Sequence, residues 1–176
     1  MILIARDNTK PLDKLRWSKS GLKLLDEAVH AAPRDWMIRL LRGKTAYMLP
    51  EQHFHRAHTA IEDYTLLIDQ NMLHDQFLEK NQYMQLIYEL GEVYYRIGQN
   101  QEASRCWIRL QQLTEDSDFI HLLHLKLKKL EGKPAVENIP HMDRPSTILL
   151  KKTVRAMGNE FQNWVGNQKT GTSTKT

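Results

Sequence analysis

A single cysteine, Cys106, is all that the 176 residues contain, so no internal disulfide can form. Neither a Cys-x-x-Cys pair nor a Cys/His zinc spacing occurs, and nothing argues for an oxidising compartment. Long apolar runs are missing too. The opening run Met1 to Ala5 is ended by Arg6, Asp7 and Asn8, far short of a signal-peptide core or a membrane span. The expectation is therefore a chain with no membrane segment and a cytoplasmic location, unless it is a piece of a longer precursor whose leader lies elsewhere. Glycine (8) and proline (6) are scarce and fall at boundaries, which leaves long stretches free to form regular structure. No stretch alternates polar and apolar residues as a half-buried strand would.

Motifs for catalysis are also absent. The chain has no Gly-rich phosphate loop, no Gly-x-Ser-x-Gly elbow, no His-Glu-x-x-His and no paired acids placed for a cleft. Glu62-Asp63 and Glu115-Asp116 read as solvated helix or turn carboxylates. Cys106 lies beside Trp107 and reads as a small buried hydrophobe rather than a nucleophile. Histidines invite a metal reading at His53, His55 and His58, and at His121 and His124. No oriented third or fourth ligand or second carboxylate accompanies them, so imidazoles in water or in turns are the expectation. The expectation is no enzyme, no metal and no cofactor.

Net charge is +4, but it is unevenly placed. Residues 1–140 balance 19 basic against 19 acidic side chains, and residues 141–176 carry six basic residues (Arg144, Lys151, Lys152, Arg155, Lys169, Lys175) against Asp143 and Glu160. A nucleic-acid binder usually spreads positive charge over its binding face, so nucleic acid is an unfavoured partner. The tail with Phe161 and Trp164 among its cations keeps an RNA-binding repeat as the second reading.

What the chain does have is Leu, Ala, Glu, Gln, Lys and Arg recurring every three or four residues, the pattern of amphipathic helices. Pro11 opens a helix to about Ala32, with Leu15, Leu22, Leu25 and Val29 on one stripe, and Pro33 stops it. Asp35 reads as the cap of a helix over 36–49, ended by Pro50. Further helices are predicted over 53–69, 75–97, 101–113 and 118–131, with Gly98-Gln99-Asn100 as a turn and Gly132 and Pro134 as a stop. Residues 133–145, with three prolines, read as an extended linker. Ser146 reads as the cap of a last helix over 146–165, with Ile148, Leu149, Val154, Phe161 and Trp164 apolar. Residues 166–176 read as a disordered tail.

The pattern also repeats. Ile87, Leu90, Gly91, Tyr94, Gly98, Ala103 and Trp107 stand at spacings that resemble the tetratricopeptide repeat (TPR). A small residue on each helix permits close approach, and the aromatic residues fill the space between. A degraded copy carries Gly43 and Ala57 as the small contacts, Ile61 where Trp107 stands, and a two-residue insertion around Pro50. Gly21, Leu25, Ala28 and Pro33 resemble the second half of an earlier unit. Two departures stand out: about a dozen extra residues over 70–82, and no full helix ahead of Leu12 to pair with it. The second departure suggests that the sequence begins inside a larger protein.

The resemblance implies an all-α fold: an antiparallel helix-hairpin solenoid wound as a right-handed superhelix over residues 1–132, with 146–165 as a capping helix. It implies a concave face that binds a protein or peptide partner. By register that face takes Met37, Leu40, Lys44 and Tyr47, then Gln85, Tyr88, Glu92, Tyr95 and Arg96, then Phe119, Leu122 and Lys126. Ordinary core packing of the aromatic stripe, or its burial under the last helix, is the competing reading. The last helix is also the element through which the chain would self-associate.

Overall fold

The computed structural model describes residues 11–73 and 77–138. The expected helix over 146–165, the tail over 166–176, the run Met1 to Ala5, and residues 139–145 of the linker lie outside the described residues. Within them the fold is all-helical, with no strand. In chain order the helices are α1 (Pro11–Ala31), α2 (Trp36–Met48), the single turn α3 (Glu51–Phe54), α4 (Ala57–Leu73), α5 (Lys80–Arg96), α6 (Asn100–Leu113) and α7 (Ser117–Lys128).

Local chemistry sets most of the boundaries. The Asp35 carboxylate accepts from the backbone N–H groups of Met37 (2.9 Å) and Ile38 (3.1 Å), and Asp116 does the same for Asp118 (2.9 Å) and Phe119 (3.2 Å). Each oxygen satisfies amides that the helix leaves without an internal partner. Two predicted boundaries are wrong. The helix expected from His53 begins at Ala57, because Glu51–Phe54 closes a separate turn and His55 then adopts a left-handed conformation (φ 50°, ψ 48°). The helix expected from residue 75 begins at Lys80, where Glu79 and Gln82 form a reciprocal capping box. On its other side α4 runs on to Leu73.

Packing follows chain order: α1 on α2, α2 on α4, α4 on α5, α5 on α6 and α6 on α7. The main core draws Leu40, Tyr64, Leu67, Leu86, Ile87, Leu90, Trp107, Leu110 and Leu123 from the five long helices after α1. Smaller clusters add Ala46, Ala57, Ala60 and Val93, and Leu22 with Leu49 beneath α1.

Within the α5/α6 hairpin, a Cβ placed on Gly91 would lie 2.5 Å from Trp107 Nε1, 2.9 Å from its Cδ1 and 3.1 Å from Cys106 Cβ. Gly43 plays the same part between α2 and α4. A Cβ there would meet the Tyr64 ring at 2.8 Å and Asp63 Cβ at 3.1 Å. The expected pairing of Gly43 with Ala57 and Ile61 is therefore off by nearly one helical turn. Trp107 follows Gly91 by 16 positions, whereas Tyr64 follows Gly43 by 21. Ala60 and Tyr64, both fully buried, stand where Ala103 and Trp107 stand, and the longer connection is taken up by α3 and His55.

Charge is buried in this layer as well. Asp63, fully buried, accepts from Arg39 Nη1 (2.9 Å) and from Arg42 Nε (2.7 Å) and Nη2 (2.7 Å), joining α2 to α4. Arg42 and Arg56 reach Asp26 on α1, the latter at 2.6 Å. Hydrogen bonding by Arg39 and the nearby Arg42 hold the Glu62 carboxyl below its ordinary range.

Candidate protein-binding face

Helices α2, α5 and α7 lie side by side and run in the same direction, because partners along them advance together. Lys44 Nζ bonds Glu89 Oε1 at 2.5 Å, and further along both helices Arg96 donates to the Tyr47 carbonyl. Between α5 and α7, the rings of Tyr88 and Phe119 lie 5.9 Å apart, and Lys126 Nζ bonds Glu92 Oε1 at 2.6 Å. Most positions selected from the sequence therefore meet across these two seams.

They do not all remain available. Leu40 is 1% exposed and belongs to the core, so it does not line a surface. Lys44 is buried and committed to Glu89, which also accepts from Tyr64 Oη (2.6 Å) and Gln85 Nε2 (3.0 Å). Every oxygen of this buried carboxylate is thus satisfied, as its burial requires. Met37 is half-buried on the first turn of α2. Tyr47, Tyr88, Glu92, Tyr95, Phe119 and Lys126 are half-buried, and Gln85, Arg96 and Leu122 are exposed.

A cation lies over each of three tyrosine rings: Arg96 over Tyr47 (4.3 Å to the centroid), Lys126 over Tyr88 (5.6 Å) and Lys133 over Tyr95 (5.3 Å). Such pairs hold both partners in place while leaving an aromatic edge and a charge presented together. Burial, and then the neighbouring Glu89 charge, push the Tyr47 hydroxyl well above its usual value, so it stays protonated at neutral pH. Burial works against the Lys126 charge, but the Glu92 hydrogen bond and charge outweigh it and raise the ammonium pKa.

Lys133 shows what sequence reasoning missed. Residues 133–138 leave α7 and, though non-helical as expected, are fastened to the α5/α6 turn. Glu137 N–H donates to the Gly98 carbonyl (2.7 Å), Gln101 N–H to the Ala135 carbonyl (3.2 Å), and Asn100 Nδ2 to the Pro134 carbonyl (3.0 Å) and Glu137 Oε2 (3.2 Å). Gly98 has φ +77°, and any Cβ there would collide with the Glu137 carbonyl oxygen. The strap walls an open hollow of about 590 Å³ with Asn100, Ser104, Arg105, Leu127 and Leu130. Only the Gly98-Gln99-Asn100 turn was legible as a signal; its partner lies more than thirty residues on.

The remaining candidates sort simply. His121 and His124 are exposed, and no group of three or more His, Cys, Asp or Glu side chains is placed to hold a metal among the described residues. Cys106 is half-buried, and burial first, then Glu102, raises its thiol to about 11, which keeps it protonated. No described helix is long and apolar enough to cross a membrane. Comparison with known proteins adds no relative: no family model, no curated protein and no solved structure matches this chain.

Proposed function

We propose that this chain is a tetratricopeptide-like helical-repeat module that binds another polypeptide across the face of α2, α5 and α7. The observation that carries the reading is the row of half-buried aromatic rings Tyr47, Tyr88, Tyr95 and Phe119, the three tyrosines each beneath a cation and Phe119 against Tyr88. Tyrosine supplies rigid contact area with little loss of side-chain freedom, and tyrosine and arginine are both enriched at protein interfaces. The small residues Gly43 and Gly91 at equivalent hairpin contacts support the repeat assignment. In this reading the role is binding, not catalysis.

A peptide display library panned on the full chain, then counter-selected on a Tyr88→Ala/Arg96→Glu variant, tests the proposal. The expected result is a set of related sequences that bind the parent at least ten times more tightly than the variant. Sequences that bind both equally would remove the face from the account. RNA binding through the basic residues beyond 140, which lie outside the described region, would instead appear as capture of mixed RNA that survives 0.2 M salt and is lost on deleting residues 141–176.

A further inference from the structure

The α5/α6 turn is shaped by its own bonds. Gly98 N–H donates to the Tyr95 carbonyl (3.1 Å), Gln99 N–H to the Tyr94 carbonyl (2.9 Å) and Asn100 N–H to the Gly98 carbonyl (3.0 Å). Gln99, at the N-cap of α6, makes no side-chain capping bond, so the first-turn amide of Gln101 depends on an acceptor from outside the helix. The strap supplies it. Ala135 gives the carbonyl for Gln101, Glu137 gives an N–H to Gly98, and the Pro134 carbonyl and the Glu137 carboxylate both accept from Asn100 Nδ2. Bonds of this kind, made mostly to main-chain groups, are how an extended peptide is held, with neighbouring pockets choosing its side chains.

Two observations separate this docking from ordinary core packing. Residues 133–136 are exposed, Val136 at 67%, so the strap buries little apolar surface and is held chiefly by hydrogen bonds. Segments held in this way open at low cost while the core stays closed. Beside the strap lies the hollow of about 590 Å³, which Pro134 and Ala135 border without filling, and whose apolar wall is Leu127 and Leu130. Asn100 lines the same hollow, is only 4% exposed, and has an Oδ1 with no hydrogen-bond partner. A buried acceptor so placed calls for a donor.

We infer that the α5/α6 turn is a docking site for an extended peptide segment, occupied by residues 134–137 as an internal ligand that a partner's segment can replace. The partner's chemistry follows from the contacts. It carries an apolar side chain larger than alanine at the position of Ala135, to fill the hollow against Leu127 and Leu130, and a carboxylate two residues later for Asn100 Nδ2. The tether keeps the strap at an effective concentration on the order of millimolar, so a partner prevails through better fit. The site stands apart from the face of α2, α5 and α7 and meets it at one point: lifting the strap withdraws Lys133 from the Tyr95 ring.

Amide NMR on the full chain tests this with a synthetic peptide of residues 133–138 carrying Ala135→Leu. Glu137→Pro in the chain removes the N–H and the carboxylate by which the strap holds on, and leaves Gly98, Asn100 and Gln101 in place. The peptide should shift the Gly98 and Gln101 amides of that variant and bind it at least ten times more tightly than the parent, whose strap competes. A peptide that also carries Glu137→Ala should bind several times more weakly. No shift at millimolar peptide in the variant overturns the inference, as does equal affinity for variant and parent. Shifts confined to the face of α2, α5 and α7 overturn it too, while leaving the proposed function standing. Hydrogen exchange checks the variant: residues 133–138 should lose protection while 86–93 keep theirs. A strap that stays protected in Glu137→Pro is not held by these bonds, which again overturns the inference. Loss of protection in 86–93 marks that variant as misfolded, and Pro134→Gly/Glu137→Ala then decides by the same criteria.

Discussion

Replacing Gly91 with alanine is the sharpest probe of the hairpin contact. In an isolated helix the change is favourable by about 1 kcal/mol, because glycine pays more backbone entropy. Here the new methyl would stand 2.5 Å from Trp107 Nε1 and 2.9 Å from Cδ1. The indole cannot simply move aside. Trp107 is fully buried, its ring lies 5.9 Å from that of Tyr95, and its Nε1 makes no hydrogen bond whose loss or gain would soften the outcome. Overpacking of this kind costs about 1–3 kcal/mol, so crowding matches or outweighs propensity, with a net loss of up to about 2 kcal/mol. For a chain of this size that is a fall of up to about 8 °C in Tm. Urea and thermal unfolding followed by circular dichroism read it. A Trp107→Ala background removes the two crowding atoms, so relative to that background Gly91→Ala should be neutral or stabilising, and the difference is the coupling energy. If Gly91→Ala raises Tm in the parent chain, or costs the same in both backgrounds, the helices do not meet as described.

Three other outcomes follow from the same geometry. Glu89→Ala strands the buried Lys44 ammonium and leaves Tyr64 Oη without its acceptor, so it should cost about 3–5 kcal/mol in urea unfolding, and Lys44→Met/Glu89→Leu together should recover most of that loss. Gly98→Ala forces a left-handed residue and drives a methyl at the Glu137 carbonyl, so hydrogen exchange should show residues 133–138 released while α4 keeps its protection. Burial raises the hydroxyl pKa of Tyr64 and Tyr47 above 10, which means that the folded state holds protons the unfolded state gives up. Their contribution is intact below the unfolded value of about 10 and is lost as pH rises past it. Absorbance at 295 nm should therefore show Tyr64 ionising only as the helical signal collapses; ionisation of all six tyrosines with the helices intact would contradict its burial.

How far the sequence carries depends on whether a feature's partner lies nearby. Helix positions follow from three- and four-residue spacing and from Asp35, whose capping partners are two and three residues away, whereas Asp116, which caps α7 in the same way, reads in the sequence only as a solvated carboxylate. The α5/α6 hairpin is legible because a three-residue turn joins its helices, although the expected facing of Gly91 and Ala103 gives way to a direct contact of Gly91 with Trp107 and Cys106. The Gly43 contact is misread because His55, with no glycine to announce it, takes a left-handed conformation and shifts the register toward Tyr64. Leu40 and Lys44 look like surface positions of an isolated helix. Lys44 is buried because its partner Glu89 stands 45 residues away on α5, and Leu40 because it joins a core built from α4 and α5 residues; no local pattern states either.

Those long-range ion pairs also explain how the aromatic row is held. The buried Lys44–Glu89 pair ties α2 to α5, and the half-buried Glu92–Lys126 pair ties α5 to α7. A buried pair of this kind is a poor source of net stability compared with apolar packing, but it tolerates few alternative registers, because sliding either helix by a turn would leave a buried charge alone. Fixing the register places Arg96 over Tyr47 and Lys126 over Tyr88, and so decides which rings stand half-exposed. The charged seams beneath the face, rather than the tyrosines themselves, therefore set its geometry. It follows that the Lys44→Met/Glu89→Leu chain, though nearly as stable as the parent, should bind any ligand of this face less selectively.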